Sequence, residues 1–123
     1  MNYVCLVYGE ESHIRALSKE GLAELDRRSV AYDKSIKEAG KLVVAQALQS
    51  TSTSTTIRKR SGKVVMTDGP FAETKEQLLG FFVVDCAALD ETVDIARELA
   101  AANPGGAYEI RPIGRFHPWT LPT

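Results

Sequence analysis

The segment Tyr3–Tyr8, Tyr-Val-Cys-Leu-Val-Tyr, is apolar at every position. In an extended strand alternate side chains point to opposite faces. Tyr3, Cys5 and Val7 therefore take one face and Val4, Leu6 and Tyr8 the other. A strand with two apolar faces has to be covered on both sides. The stretch Gly80–Asp85, Gly-Phe-Phe-Val-Val-Asp, repeats the property. Any fold for this chain must bury a sheet from two directions.

The chain has two helices to offer for that task. The first is predicted over residues 18–39, with Ser18 as N-cap and Leu22, Leu25, Tyr32, Ile36 and Ala39 as its inward stripe. Ser29 fills the missing step of that stripe, and Gly40 stands where a left-handed residue ends a helix. The second runs over Leu89–Ala102, with Asp90, Glu91 and Asp94 toward its positive end. Leu89, Val93, Ala96 and Ala100 form its buried face, widened by Ile95 and Leu99, and Asn103-Pro104-Gly105-Gly106 stops it.

Between the helices, Lys41–Leu48 reads as a strand with Leu42, Val44, Gln46 and Leu48 on one face and Val43, Ala45 and Ala47 on the other. Gly9–Ser12 and Gln49–Ser54 read as loops. Thr55–Lys59 and Lys63–Met66 flank Arg60-Ser61-Gly62 as a hairpin. Ala107–Ile113 is the last strand, and residues 116–123, with His117 and Trp119, form a tail beyond a domain of residues 1–115. The order is β-α-β-hairpin-β-α-β, an α+β chain. Two helices cover one face of such a sheet, so the other face needs a further layer, and a second copy is the simplest supply. The sequence predicts a homodimer with two sheets face to face.

Charge and composition narrow the partners. The 123 residues fit one domain, and 15 basic against 16 acidic side chains leave a net charge of −1, which gives no field to attract nucleic acid. No apolar run approaches the ~20 residues that a membrane helix needs, and the N-terminal segment has no leader pattern, so a cytoplasmic location is the expectation. Cys5 and Cys86 sit inside apolar runs and read as reduced, buried thiols. Together with His13 and His117 they make no metal-ligand spacing, and no phosphate-binding loop is present, so neither a metal nor a cofactor is expected.

The remaining run, Thr67–Gln77, interrupts the sheet. Asp68-Gly69-Pro70 is turn chemistry: Asp accepts backbone hydrogen bonds, Gly relaxes φ and Pro fixes it. After Phe71, the positions Glu73, Lys75, Glu76 and Gln77 place four long polar side chains within five residues, next to an apolar strand. They read either as a solvated loop or as one helical turn with Glu–Lys pairs. The run Asp68–Gln77, with Gly80-Phe81-Phe82 and Asp85 after it, resembles the signature of the DGPF-domain branch of the YCII-related proteins. Tyr3–Gly9, Gly40-Lys41-Leu42 and Glu109-Ile110-Arg111-Pro112 resemble that family too, so the likeness extends from Met1 to Arg115.

The resemblance implies a ferredoxin-like β-α-β-β-α-β monomer with an added hairpin, pairing into a dimeric α/β barrel. For the wider YCII group it implies a histidine and an aspartate in a cleft, used in the manner of small lyases or dehydrochlorinases. For some DGPF proteins it implies association with extracytoplasmic-function sigma factors. In this chain the position of that helix histidine falls near Ser29, and a serine cannot carry protons at neutral pH without an activating base. The dyad is not carried over.

Acid–base chemistry then rests on the carboxylates or on Lys75. Asp68 and Glu73 are the catalytic candidates, although an aspartate there more often caps its turn. Tyr8, Ser29, Gln46, Phe71, Lys75, Glu76 and Arg111 are the ligand-binding candidates. Glu109 shares a strand face with Arg111. Two functions stay open: a non-catalytic dimer that binds a small molecule or a protein such as a sigma factor, and a lyase or isomerase with its pocket in the dimer cleft beside Asp68–Glu76.

Overall fold

Asn2–Gly9 forms the first strand, β1, and stands inside a four-stranded antiparallel sheet. The computed structural model describes residues 1–103 and 106–114. Its remaining elements are α1 (Glu11–Arg15), α2 (Lys19–Glu38), β2 (Leu42–Ala47), a 3-10 turn at Thr51–Thr53, β3 (Thr55–Arg60), β4 (Lys63–Asp68), β5 (Gln77–Asp85), α3 (Leu89–Ala102) and β6 (Ala107–Pro112). The sheet order is β2-β5-β1-β6, and β3 and β4 pair only with each other. The chain is thus α+β. The expected tail, His117 and Trp119 included, lies outside the described residues.

The register separates the two faces. Leu42, Val84, Tyr3 and Pro112 stand in one row across the sheet, and Ala45, Phe82, Cys5 and Ile110 in the next. Tyr3, Cys5, Phe82 and Val84 form the buried core with Cys86 and with Ile36 and Ala96 of the two long helices. Each fully buried Val or Phe contributes about 1.5–3 kcal/mol, so these rows are the main source of stability. Both cysteines are free and buried, and burial pushes the Cys5 thiol up to about 11.

The helix ends follow the sequence. Gly21 N–H donates to Ser18 Oγ at 3.0 Å, the expected N-cap. At the other end Gly40, with φ +76°, donates to Lys37 C=O, and Lys41 N–H donates to Ile36 C=O. This is a Schellman closure, and it turns the chain directly into β2. The hairpin turn is tighter than the sequence reading: Arg60 still pairs with Lys63, and Ser61 and Gly62 alone make the loop with φ +50° and +77°. Two consecutive positive φ values define the type I′ turn that suits strand twist.

Four expectations need correction. The helix Glu11–Arg15 takes the second half of the loop expected over Gly9–Ser12. The loop after β2 contains the 3-10 turn Thr51–Thr53. A register irregularity between Leu42 and Val44 puts Leu42 on the helix-covered face, whereas Val44 and Gln46 keep the opposite one. Strict alternation fails there because a bulge advances one strand by a residue. On α3 the buried positions are Thr92 and Ala96, with Ile95 and Leu99 half-buried and Leu89 exposed, so the inward stripe is rotated from the one read off Leu89 and Ala100.

The interhelical contact is partly polar. The Tyr32 hydroxyl donates to Ile95 C=O at 2.7 Å and lies 3.2 Å from Glu98 Oε2. Arg28 donates to Ala102 C=O at 3.0 Å and so closes the C-terminal end of α3.

Gly80 marks the closest approach between β5 and β2. A Cβ built there would lie 2.7 Å from the Gln46 carbonyl oxygen and 3.3 Å from Ala47 Cα, both backbone atoms that cannot swing away. Gly80→Ala is expected to cost about 1–3 kcal/mol, read as a lower urea midpoint with an unchanged slope.

Candidate functional site

Among the described residues the opposite face of the sheet carries no long helix: both α2 and α3 pack through Ile36 and Ala96 on the core side. Two further rows cross it. Gln46, Phe81, Leu6 and Glu109 make one, and Val44, Val83, Val4 and Arg111 the other. Val4, Leu6, Val44, Phe81 and Val83 are half-buried, whereas Gln46, Glu109 and Arg111 are exposed. The face is therefore apolar at its centre and polar at its two edges. Gln46 on β2 and Glu109 on β6 are three strand spacings apart, roughly 14 Å. They cannot converge on one atom within a single chain.

Tyr8 lies at the end of this face, half-buried, paired with Leu78 and Ala107 across a second irregularity at Val7 and Tyr8. The next pair is Gly9 with Gln77, the last residue of the Asp68–Gln77 run. The run thus enters the sheet at the end that holds Tyr8.

Within the run the structure is loop, with no helical turn, so Glu73 and Glu76 do not share a helix face. Asp68 ends β4, and the turn after it is held by Gly69 N–H donating to Ser54 C=O at 2.8 Å and by Thr56 Oγ1 donating to Gly69 C=O at 2.7 Å. Phe71, Glu73, Lys75 and Glu76 are exposed, and none of the charged three enters an ion pair among the described residues. Ser29 is exposed as well, not inward. It lines an open groove of about 340 Å³ between α2 and α3, with Arg28, Tyr32, Ser35, Leu99 and Asn103. Of the predicted α2 stripe Ile36 alone is buried, and Ser29 does not reach the core. The candidates fall into three places: Tyr8, Gln46 and Arg111 on the open face, Asp68 to Glu76 in the loop, and Ser29 in the helix layer.

Two residues without a role in the sequence reading prove informative. Glu11, at the start of α1, is a clasp. Its carboxylate accepts from Thr51 N–H and Thr51 Oγ1, both at 2.8 Å, and its own N–H donates to Gln77 Oε1 at 2.9 Å. Gln77 in turn donates through Nε2 to Thr74 C=O at 2.7 Å, and the Thr74 hydroxyl donates to Glu76 C=O. Three segments far apart in sequence are thereby tied at the Tyr8 end of the sheet. Gln77, the end of the marker run, is a structural pin. The sequence signal was an acidic residue following Gly9 and a Ser/Thr-rich connector in need of an acceptor.

Asp33 is the second. Burial on α2 raises the pKa of its carboxyl from the ordinary value. A raised carboxyl is a feature that proton-transfer sites share with buried structural carboxyls. No group of three or more His, Cys, Asp or Glu side chains gathers as a metal site among the described residues. No described helix is long and apolar enough to cross a membrane.

The sequence profile of the YCII-related domain matches residues 1–117. The chain belongs to the YCII-related family. It is also 46% identical over 124 residues to an uncharacterized protein of Rhizobium meliloti (strain 1021), an alignment that spans the whole of both chains. The YCII-related assignment leaves the activity to be argued from the site.

Burial alone would raise the Glu11 carboxyl, but the two hydrogen bonds from Thr51, the nearby Arg15 and Ser50 outweigh it, and the net shift is downward. A depressed folded-state value contributes stability above the ordinary carboxylate pKa, about 4.3, and loses it as pH falls through the lower folded value. With the side chain 12% exposed, Glu11→Gln is expected to cost about 1.5 kcal/mol at pH 7. Urea titrations should show that deficit narrowing below pH 4.

Proposed function

We propose that this YCII-related protein acts as a homodimer whose sheets meet through their open faces, and that it binds a small molecule at the rim of that interface without transforming it. The monomer is then ferredoxin-like with an added hairpin, and the pair forms a dimeric α/β barrel. One observation carries the reading: the face built from Val4, Leu6, Val44, Phe81 and Val83 is apolar at its centre, and its polar groups surround that centre at the sheet edges and the strand ends. That is the anatomy of an interface with a dry core and a wet rim. A two-fold axis through the valine row repeats each polar edge on both sides of the contact. Tyr8, Gln46 and Arg111 become the ligand-facing groups, with Phe71, Lys75 and Glu76 of the loop beside the Tyr8 end.

Non-catalytic binding is preferred because the proposed catalytic pair lacks support. Asp68 and Glu73 are exposed, and neither side chain accepts a hydrogen bond among the described residues. Catalytic carboxylates are held by neighbours that fix their orientation. A lyase or isomerase draws its one specific support from Asp33, whose raised carboxyl belongs to the helix layer and not to the Asp68–Glu76 run. No residue described above requires a sigma factor as partner.

Val83 tests the reading, since it lies mid-face and its replacement leaves the core rows intact. Sedimentation of the wild-type chain at micromolar concentration should give a dimer. Val83→Asp should weaken dimerisation by more than about tenfold, as expected for a charge set into an apolar contact, with far-ultraviolet circular dichroism unchanged. A small-molecule screen followed by NMR should perturb Tyr8, Gln46 and Arg111 in the wild type and not in Val83→Asp. Shifts centred on Asp33 together with turnover would support the enzyme reading, and a wild-type monomer would contradict the proposal.

A further inference from the structure

The β3–β4 hairpin has no place in the reading so far. Among the described residues its strands pair only with each other and join no strand of the main sheet. Its register puts Ile57 opposite Met66 and Lys59 opposite Val64, so Ile57, Met66 and Val64 share one face of the ribbon. All three are open to solvent, at 66%, 70% and 73%. A two-stranded ribbon with a bare apolar face is marginal in water unless something packs on it.

The tip adds a second, independent feature. Arg58, Lys59, Arg60 and Lys63 place four cations within six residues, and no acid lies between Thr55 and Thr67. None of the four enters a salt bridge among the described residues. The whole chain carries −1, so the rest of it, without these four cations, carries −5. The hairpin is the positive pole of an otherwise negative chain. A surface whose charge complements that of the remaining molecule fits another copy of the same molecule.

We infer that the β3–β4 hairpin is an arm that reaches onto a second copy of this chain, laying Ile57, Val64 and Met66 against its apolar surface and the Arg58–Lys63 tip against its acidic one. The inference rests on the homodimer proposed above and assigns the hairpin a part in it. Three side chains fall well short of the ~800 Å² per partner that a standard interface buries. The arm therefore extends the contact made by the sheet face and does not replace it. Nucleic acid fits less well, because the chain as a whole has no basic excess.

Sedimentation equilibrium on three proteins separates the outcomes. The wild type should be dimeric. The double variant Ile57→Glu/Met66→Glu and the tip variant Arg58→Glu/Lys59→Glu/Arg60→Glu should each weaken dimerisation by on the order of tenfold or more. The tip effect should shrink in 0.5 M salt, whereas the apolar effect persists, since ~0.5 M salt screens surface charges within a few ångströms. A spin label on Ser61→Cys, mixed with isotope-labelled wild-type chain, should broaden resonances of the labelled copy, and this readout needs no change to the apolar face. A wild-type dimer whose two arm variants associate within about twofold of it, with no broadening, overturns the arm and leaves the dimer standing. A wild-type monomer overturns both. If the tip variant loses binding to duplex DNA or to anionic phospholipid vesicles while dimerising normally, the arm serves that surface and the inference is wrong.

Discussion

Everything in this fold depends on a sheet that is apolar on both faces while the long helices among the described residues cover one. On the covered face, Tyr3, Cys5, Phe82 and Val84 meet Ile36 and Ala96 and form the core. On the other, Val4, Leu6, Phe81 and Val83 stay half-buried between a glutamine at one edge and a Glu–Arg pair at the other. Apolar area left in water is a standing free-energy cost of about 25 cal/mol per Å². A chain that retains such a face gains by covering it, and the polar edges bound the area that can be covered.

The clasp around Glu11 has a supporting part. It ties the start of α1, the Thr51 turn and the first residue of β5, and so positions the loop that carries Asp68 to Glu76. The recognisable end of the marker run is therefore a hinge pin: Gln77 spends both ends of its amide on backbone groups. Conspicuous residues here organise a loop, and the charged side chains between Phe71 and Gln77 stand in solvent around them. That division of labour is why the functional reading rests on the sheet face, with the loop as its border.

Much of the fold was legible because local rules and global packing agree. Ser18 caps, Gly40 closes, Ser61-Gly62 turns, and the two-sided strands lie in the middle of the sheet. The failures have physical causes. The faces of β2 were misassigned because a single bulge between Leu42 and Val44 breaks a period of two, and nothing in Leu-Val-Val announces it. Ser29 was placed inward because α2 is periodic along its length, yet only the part around Ile36 lies over the core. Glu11 and Asp33 were missed since their meaning depends on neighbours 40 residues away or on depth, neither of which a spacing pattern records.

The central claim is that the face bearing Val4 and Val83 is closed by a second copy of the chain. Isotope-filtered NOE spectra on a mixture of labelled and unlabelled chains test it directly. The account predicts intermolecular contacts from the methyl groups of Val4, Leu6, Val44 and Val83. Spectra in which those methyls show contacts within their own chain alone, in a sample that is monomeric at millimolar concentration, would contradict it.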